Sequence, residues 1–266
     1  MRVILPTFAK INLTLRVINK RPDGYHNIVS TFMKISSGDV LYVSESTAGI
    51  DIVNSNINIK GENIVLKALR VAREEGFKFP YLNVMVHKSI PPGSGLGAGS
   101  GNAAAILCLL GAQKVAAKVG SDVPFLCSGY DMALVSGIGD NVERPKNAVP
   151  PHGVIAIPDW QTDTKNAYDE IDNDKSMVSG FDTMLARTEM RDMYYANAGK
   201  KVGLLPNDFL KVLIKDNPKY NELFTMFERE GAVAWGLTGS GSAAFAVLNS
   251  PKLFEWPSYI KNVLYF

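Results

Sequence analysis

The sequence predicts a mixed α+β protein, and three observations predict it. Strand-type and helix-type hydrophobic patterns follow one another irregularly along the 266 residues, not in the strict βαβ rhythm of a doubly wound parallel sheet. A glycine-rich stretch about a third of the way along opens onto an apolar run with helical character. A proline-rich, apolar-poor segment, Arg144 to Pro151, then divides the chain into expected domains of residues 1–150 and 151–266.

The elements follow in order. Lys10 to Asn19 alternates, with Ile11, Leu13, Leu15 and Val17 on one side and Asn12, Thr14 and Arg16 on the other, as in a half-buried strand. Lys20-Arg21-Pro22-Asp23-Gly24 is a turn, and Tyr25 to Ile35 and Val40 to Ser44 read as strands. Glu62 to Glu75 has helical periodicity and is stopped by Gly76. Tyr81 to His87 alternates again, and Ala103 to Leu110 predicts a helix. Strands follow at Met132 to Ser136 and Gly153 to Ile157, and helices at Phe181 to Ala198 and Pro218 to Glu230. Ala232 to Leu237 and Ala243 to Leu248 read as two strands joined by a tight turn.

Composition narrows the function classes. The apolar fraction of 46% supports a real core, and a net charge of +2 with interspersed acids and bases argues against nucleic acid or an anionic membrane as partner. The longest apolar run is too short to span a bilayer, and the first residues lack the apolar core of a signal peptide, so the cytoplasm is the expected location. Cys108 and Cys127 sit in apolar sequence and read as small reduced core residues, and no Cys/His spacing suggests a metal site. His87 and His152 carry no chemical reading.

The stretch Pro92-Gly93-Ser94-Gly95-Leu96-Gly97-Ala98-Gly99-Ser100-Gly101-Asn102 is the strongest signal. Its glycines let a backbone approach a ligand closely, and the helix that follows offers free N–H groups and a favourable dipole to an anion, most naturally a phosphate. No Lys-Ser or Lys-Thr pair follows, so it is not a Walker A loop. Gly93, Gly95 and Ala98 fit the loose dinucleotide pattern, but Lys88 to Pro92 separate them from the preceding strand. Ser100 can contact phosphate or magnesium, or cap the helix.

Three separated motifs now stand in order: Ala9-Lys10-Ile11-Asn12-Leu13, the glycine stretch, and Leu237-Thr238-Gly239-Ser240-Gly241-Ser242-Ala243. They resemble the GHMP family of small-molecule kinases, and the strings Arg21 to His26 and Gly120-Ser121-Asp122-Val123-Pro124-Phe125 narrow the likeness to a member acting on a cytidine-diphosphate-linked methylerythritol. The resemblance implies two α+β domains, the first like ribosomal protein S5 and the second ferredoxin-like, with the active site in the cleft between them. It also implies ATP with Mg2+, a small-molecule substrate, and a monomer or weak homodimer.

Residue by residue, Asp122 matches the catalytic aspartate and Lys10 its partner lysine; read alone, these are a turn or capping residue and a solvated strand lysine. Asn12, two residues from Lys10 on the same strand face, would orient the substrate. Tyr25 and His26 look like the cytidine-recognition pair, and Tyr168, in Thr164-Lys165-Asn166-Ala167-Tyr168, falls where the family carries a second aromatic. Asn63 and Lys88 match the adenine pocket, although Glu62-Asn63 is also a reasonable helix start. Thr238, Gly239, Ser240 and Gly241 would close over phosphates or form only a hairpin turn. The chain departs from the pattern between Asn102 and Asp122, where it is shorter than the family usually is. A kinase for another alcohol, such as homoserine or mevalonate, and a non-catalytic nucleotide binder stay open.

Overall fold

Strands and helices alternate along the chain in the irregular order its patterning predicts. The computed structural model describes residues 2–59, 61–145, 149–173, 188–189 and 198–266. The expected helix Phe181 to Ala198 lies outside the described residues except at 188, 189 and 198, as do positions 146–148 of the proline-rich segment. Contacts group the chain into two α+β units. The first holds Met1–Lys10, Lys34–Pro92 and Gly97–Tyr130; the second holds Ile11–Met33, Gly93–Leu96 and Asp131–Phe266.

In the first unit, β1 (Arg2–Pro6), β4 (Val40–Glu45), β6 (Leu82–His87) and β5 (Ile52–Ser55) form one sheet in the order β1-β4-β6-β5. Only the β5–β6 pairing in it is parallel. Alternate residues Leu41, Val43, Leu82, Val84 and Val86 turn inward and pack on Val65, Leu69 and Ile106. Val65 and Leu69 belong to α1 (Ile64–Glu74), which starts where sequence places it: Asn63 is the N-cap, and its side-chain oxygen accepts from the Val65 N–H at 2.9 Å.

Ile106 belongs to α2 (Ala98–Leu109), which begins earlier than its apolar run at Ala103 suggested. The glycines of its first turns are poor helix formers in isolation, and tertiary packing overrides that preference. Gly97 occupies the N-cap position, so the capping alternative for Ser100 is not realised. The shortened connection that follows holds a 3-10 turn (Gln113–Val115) and two short helices, α3 (Ala116–Val119) and α4 (Val123–Cys127). Cys108 corrects the reading of both cysteines as core residues: it faces outward on α2 and is exposed, while Cys127 is half-buried.

The second unit contains two sheets. In one, β2 (Ala9–Lys20, of which Ile11 onward belongs to this unit), β3 (His26–Ile35), β7 (Met132–Gly137) and β8 (Asn141–Glu143) neighbour one another in that order. The other is five-stranded: β10 (Gly203–Leu204), β11 (Ala234–Leu237), β12 (Ala244–Val247), β9 (Gly153–Pro158) and β13 (Ile260–Tyr265). Helices α5 (Thr164–Asn173), α6 (Asp208–Asp216) and α7 (Lys219–Arg229) join it through one core that includes Val154, Ala156, Ile171, Phe209, Leu213, Leu223, Phe227 and Leu237.

The expectation that β2 is half-buried needs correction. Ile11 to Leu15 are buried without interruption. The polar alternates are satisfied internally instead: Asn12 Nδ2 donates to Ser30 Oγ at 2.9 Å, and Thr14 Oγ1 donates to Thr31 Oγ1 at 3.2 Å. Buried polar groups are tolerated when so paired.

Candidate active site

The first unit brings together the two residues that sequence placed at the chemistry. Lys10 is buried at 5% exposure near the start of β2, and its Nζ lies 3.5 Å from Asp122 Oδ2. Asp122 occupies the N-cap position of α4, but its side chain makes no capping hydrogen bond there. Lys10 is therefore not a solvated strand lysine, whereas Asp122 does lie in a turn, without capping α4 through its side chain.

Gly97, the N-cap of α2, abuts this pair. Its backbone is left-handed, with φ +61°, and a Cβ at this position would sit 3.0 Å from Asp122 Oδ2 and 3.0 Å from Lys10 Cε. Glycine is required here both for the backbone conformation and for the close approach. The opening turn of α2, with Gly99 and Ser100 half-buried, is thus placed beside an ammonium and a carboxylate. The unpaired N–H groups and the positive dipole end of such a turn suit a phosphate.

Behind the loop lies a buried polar hub that sequence did not single out. Asp39, 1% exposed, receives the Lys88 ammonium, the backbone N–H of Ser89 at 2.8 Å and Asn102 Nδ2 at 2.8 Å. Asn102 Oδ1 accepts in turn from Thr7 Oγ1 at 3.0 Å. Burial pushes the Asp39 carboxyl up, but the hydrogen bonds from Lys88, Ser89 and Asn102 outweigh it and hold it below the usual carboxylate range. Lys88 and Asn102, expected to face ATP, have their side-chain groups in this hub, and the Asn63 oxygen caps α1. The hub anchors both the approach to the glycine stretch and the second turn of α2.

The second unit holds Gly93–Leu96 and the third motif. Ser94 and Leu96 are buried, whereas Gly93 is exposed. The Ser94 carbonyl accepts from the Ala243 N–H at 3.1 Å. A Cβ on Gly95, which has φ +78°, would come within 2.5 Å of the Gly241 carbonyl oxygen and 2.7 Å of that of Thr238. The turn between β11 and β12 therefore packs directly on this part of the glycine stretch.

That turn is held from several sides. Asn12 N–H donates to Thr238 Oγ1 at 2.8 Å, and Asn207 Nδ2 donates to the Leu237 and Gly239 carbonyls, each at 2.9 Å. Thr162 Oγ1 donates to the Ser240 carbonyl at 2.7 Å, and the Thr164 and Ser240 hydroxyls are 2.7 Å apart. The Tyr220 hydroxyl donates to the Ser242 carbonyl at 3.0 Å, and burial pushes this phenol up to about 12. Asn207 also caps α6, accepting from the Phe209 N–H at 3.0 Å. Its signal was legible: an Asn directly before an acidic, then amphipathic, run.

The nucleoside-recognition candidates are also in the second unit. Tyr25 is 57% exposed, so its ring is available for stacking. The His26 ring stacks on Tyr168 with centroids 4.4 Å apart and planes inclined by 16°, and its Nε2 lies 2.7 Å from Asp172 Oδ1. Asp172 Oδ2 accepts from Lys20 Nζ at 2.7 Å. Partial burial pushes the Asp172 carboxyl up, but the hydrogen bonds from Lys20 and His26 outweigh it and hold it below the ordinary range.

Residues 63–129, which hold the α2 N-terminus and Asp122, match the family of small-molecule kinases described as GHMP kinases N terminal domain. Within that class the chain is 34% identical over 253 residues to the 4-diphosphocytidyl-2-C-methyl-D-erythritol kinase of Pseudothermotoga lettingae, covering 90% of each chain. It is likewise 34% identical over 254 residues to the kinase of the same name from Thermotoga maritima, covering 91% of each. It superposes on a crystal structure of 4-(cytidine 5'-diphospho)-2C-methyl-D-erythritol kinase with a TM-score of 0.73 and 26% identity, over 94% of this chain and 91% of that one. The chain belongs to the 4-diphosphocytidyl-2-C-methyl-D-erythritol kinase family. A homoserine kinase of Cytophaga hutchinsonii, with 18% identity and a TM-score of 0.52 over 92% of this chain and 86% of its own, shares the fold alone. Among the described residues no helix is long and apolar enough to cross a membrane.

Proposed function

We propose that this chain transfers the γ-phosphoryl group of ATP to the 2-hydroxyl of 4-diphosphocytidyl-2-C-methyl-D-erythritol. The observation that carries the reading is the 3.5 Å Lys10–Asp122 pair set against the N-cap of α2. Phosphoryl transfer asks mainly for positioning and charge neutralisation. The α2 N-terminus and the glycine stretch from Pro92 to Ser100 bind the phosphates through backbone N–H groups, and Ser100 adds a hydroxyl. Asp122 takes the proton of the acceptor hydroxyl as its oxygen bonds to the γ-phosphorus, the bond from that phosphorus to the β–γ bridging oxygen breaks, and ADP leaves. Lys10 sets a positive charge beside the carboxylate and draws charge from the acceptor oxygen.

Magnesium belongs with the nucleotide in this scheme. Among the described residues no group of three or more His, Cys, Asp or Glu stands ready to hold a metal. The ion would be held mainly by phosphate oxygens and water, with the Ser100 hydroxyl a candidate contact, and would neutralise phosphate charge.

Asn12 orients the substrate from β2. Tyr25 and His26 recognise cytosine with Tyr168 behind, and the Thr238–Gly241 turn contacts the substrate diphosphate. Asn63 and Lys88 shape the adenine side, Lys88 through the Asp39 hub. The proposed domains are residues 1–150, the N-terminal ATP-binding domain, and residues 151–266, the C-terminal domain. The test is ADP release from MgATP with the cytidine-linked alcohol, homoserine and mevalonate as competing acceptors. Turnover confined to the cytidine-linked alcohol supports the reading, and turnover with another alcohol alone refutes it.

A further inference from the structure

One face of α5 carries Thr164, Tyr168 and Asp172 at successive i, i+4 positions, one above the other. Each meets a residue of the substrate-side motifs: Thr164 the Ser240 hydroxyl at 2.7 Å, Tyr168 the His26 ring face, and Asp172 the His26 Nε2 at 2.7 Å. The neighbouring face, with Ala167 and Ile171, is buried in the core, so the helix is fixed in rotation. His26 is consequently gripped on one ring face and at one nitrogen, and its side chain is only 7% exposed.

We propose that Asp172 is a specificity-determining positioning residue: it fixes the tautomer of His26 and thereby selects cytosine over uracil. The inference rests on the functional reading above. An ionised carboxylate has only lone pairs to offer, so His26 Nε2 must carry the proton that makes the 2.7 Å contact a hydrogen bond. In the neutral ring Nδ1 is then obliged to be the acceptor. The exocyclic amino group of cytosine donates to such a nitrogen, whereas uracil presents a carbonyl oxygen at the same place and sets lone pair against lone pair. Lys20, on the other oxygen of Asp172, keeps the carboxylate ionised and so keeps it an acceptor. Tyr168 prevents the ring from flipping out of this arrangement, packed as it is edge-on against Phe209 with centroids 4.8 Å apart.

The test uses the full chain labelled with 15N-histidine, which contains three histidines. Ring-nitrogen spectra of wild type should give His26 as the Nε2–H tautomer, and Asp172→Ala should give a mixture. Calorimetric binding of cytidine 5'-diphosphate and uridine 5'-diphosphate should show a preference for the cytidine ligand that Asp172→Ala reduces about tenfold, one hydrogen bond's worth. Asp172→Asn, whose amide oxygen still accepts the same N–H, should retain most of the preference. In turnover, Asp172→Ala should raise KM for the cytidine-linked alcohol and leave kcat and the KM for ATP within about twofold. An Nδ1–H tautomer in wild type, or an unchanged cytidine-to-uridine ratio in Asp172→Ala, overturns this proposal and leaves the kinase reading standing. Equal binding of the two nucleotides by wild type overturns it as well, whereas the kinase reading falls only if turnover occurs with another alcohol alone.

Discussion

The Asp122 carboxylate stands 3.5 Å from the Lys10 ammonium, although 111 intervening residues separate the two in sequence. Both belong to one unit, and the shortened segment after Asn102 still delivers the aspartate to the lysine by way of α3 and α4. The acid–amine geometry is thus formed with this short connection in place. The Asp122 side chain is 27% exposed against 6% for Lys10, so the carboxylate is the more accessible member of the pair.

Asp122→Asn keeps the shape of the site and removes the proton acceptor. Its kcat is expected to fall by about 10²–10⁴, the usual contribution of a positioned general base. No capping hydrogen bond is lost, but the Lys10 ammonium, only 6% exposed, loses the carboxylate beside it, so the urea midpoint should fall too. Lys10→Met should lower kcat as well. A single-turnover assay with the cytidine-linked alcohol checks both, and wild-type rates in Asp122→Asn would remove this residue from the mechanism.

Gly97→Ala separates backbone chemistry from side-chain chemistry. A Cβ there meets Asp122 and Lys10 at 3.0 Å, and alanine is strained at φ +61°. The left-handed strain costs about 1–3 kcal/mol, and the added methyl displaces the Lys10–Asp122 pair. Activity should therefore fall more than stability does. Gly95→Ala is the contrasting case: its Cβ would meet backbone oxygen at 2.5 Å, which cannot yield as a side chain can. Urea denaturation of both variants should show the larger loss of stability for Gly95→Ala.

The features legible in the sequence are those whose cause is local. Alternation along Ile11 to Val17 marks β2, Asn63 and Gly76 mark the ends of α1, and the two glycine motifs mark the loop before α2 and the β11–β12 turn. The burial of Asn12 and Thr14 could not be read, because their partners Ser30, Thr31 and Thr238 are supplied by tertiary structure. Asp39 follows Ser36-Ser37-Gly38 and looks like an ordinary turn residue; Lys88 and Asn102 lie 49 and 63 positions away. The start of α2 was missed because Gly99 and Gly101 read as loop. Helix α5 was missed although Ala167 and Ile171, at i and i+4, mark its buried side.

Asp39→Asn tests the hub behind the loop. It leaves the Lys88 ammonium, only 6% exposed, without its carboxylate, and breaking a buried pair costs about 3–5 kcal/mol. The folded carboxyl sits below its ordinary value of 3.8, so the unfolded chain binds the proton first. Its contribution is complete above pH 4 or so and declines as pH falls from there through the lower, folded value. Urea midpoints measured from pH 7 down to pH 3 should show wild type losing this increment on the acid side and Asp39→Asn lacking that part of the decline. Parallel curves for the two proteins would mean that the carboxyl titrates alike in the folded and unfolded chain, so that the hub does not favour its ionised form.

Cys108 should be the reactive thiol of the chain. It is exposed near the end of α2, and a hydrogen bond from Cys127, helped by the Lys34 charge, outweighs burial and brings it down to about 7. The same hydrogen bond and burial push the Cys127 thiol up. Since the thiolate is the nucleophile, alkylation of Cys108 by iodoacetamide should reach half its maximal rate near pH 7 and precede that of Cys127. Cys127→Ala removes the donor, and the midpoint for Cys108 should move up toward the ordinary thiol value of 9.0. Peptide mass spectrometry across the pH series follows each site separately. A Cys108 midpoint that stays in place when Cys127 is replaced would show that the second thiol does not set the reactivity of the first.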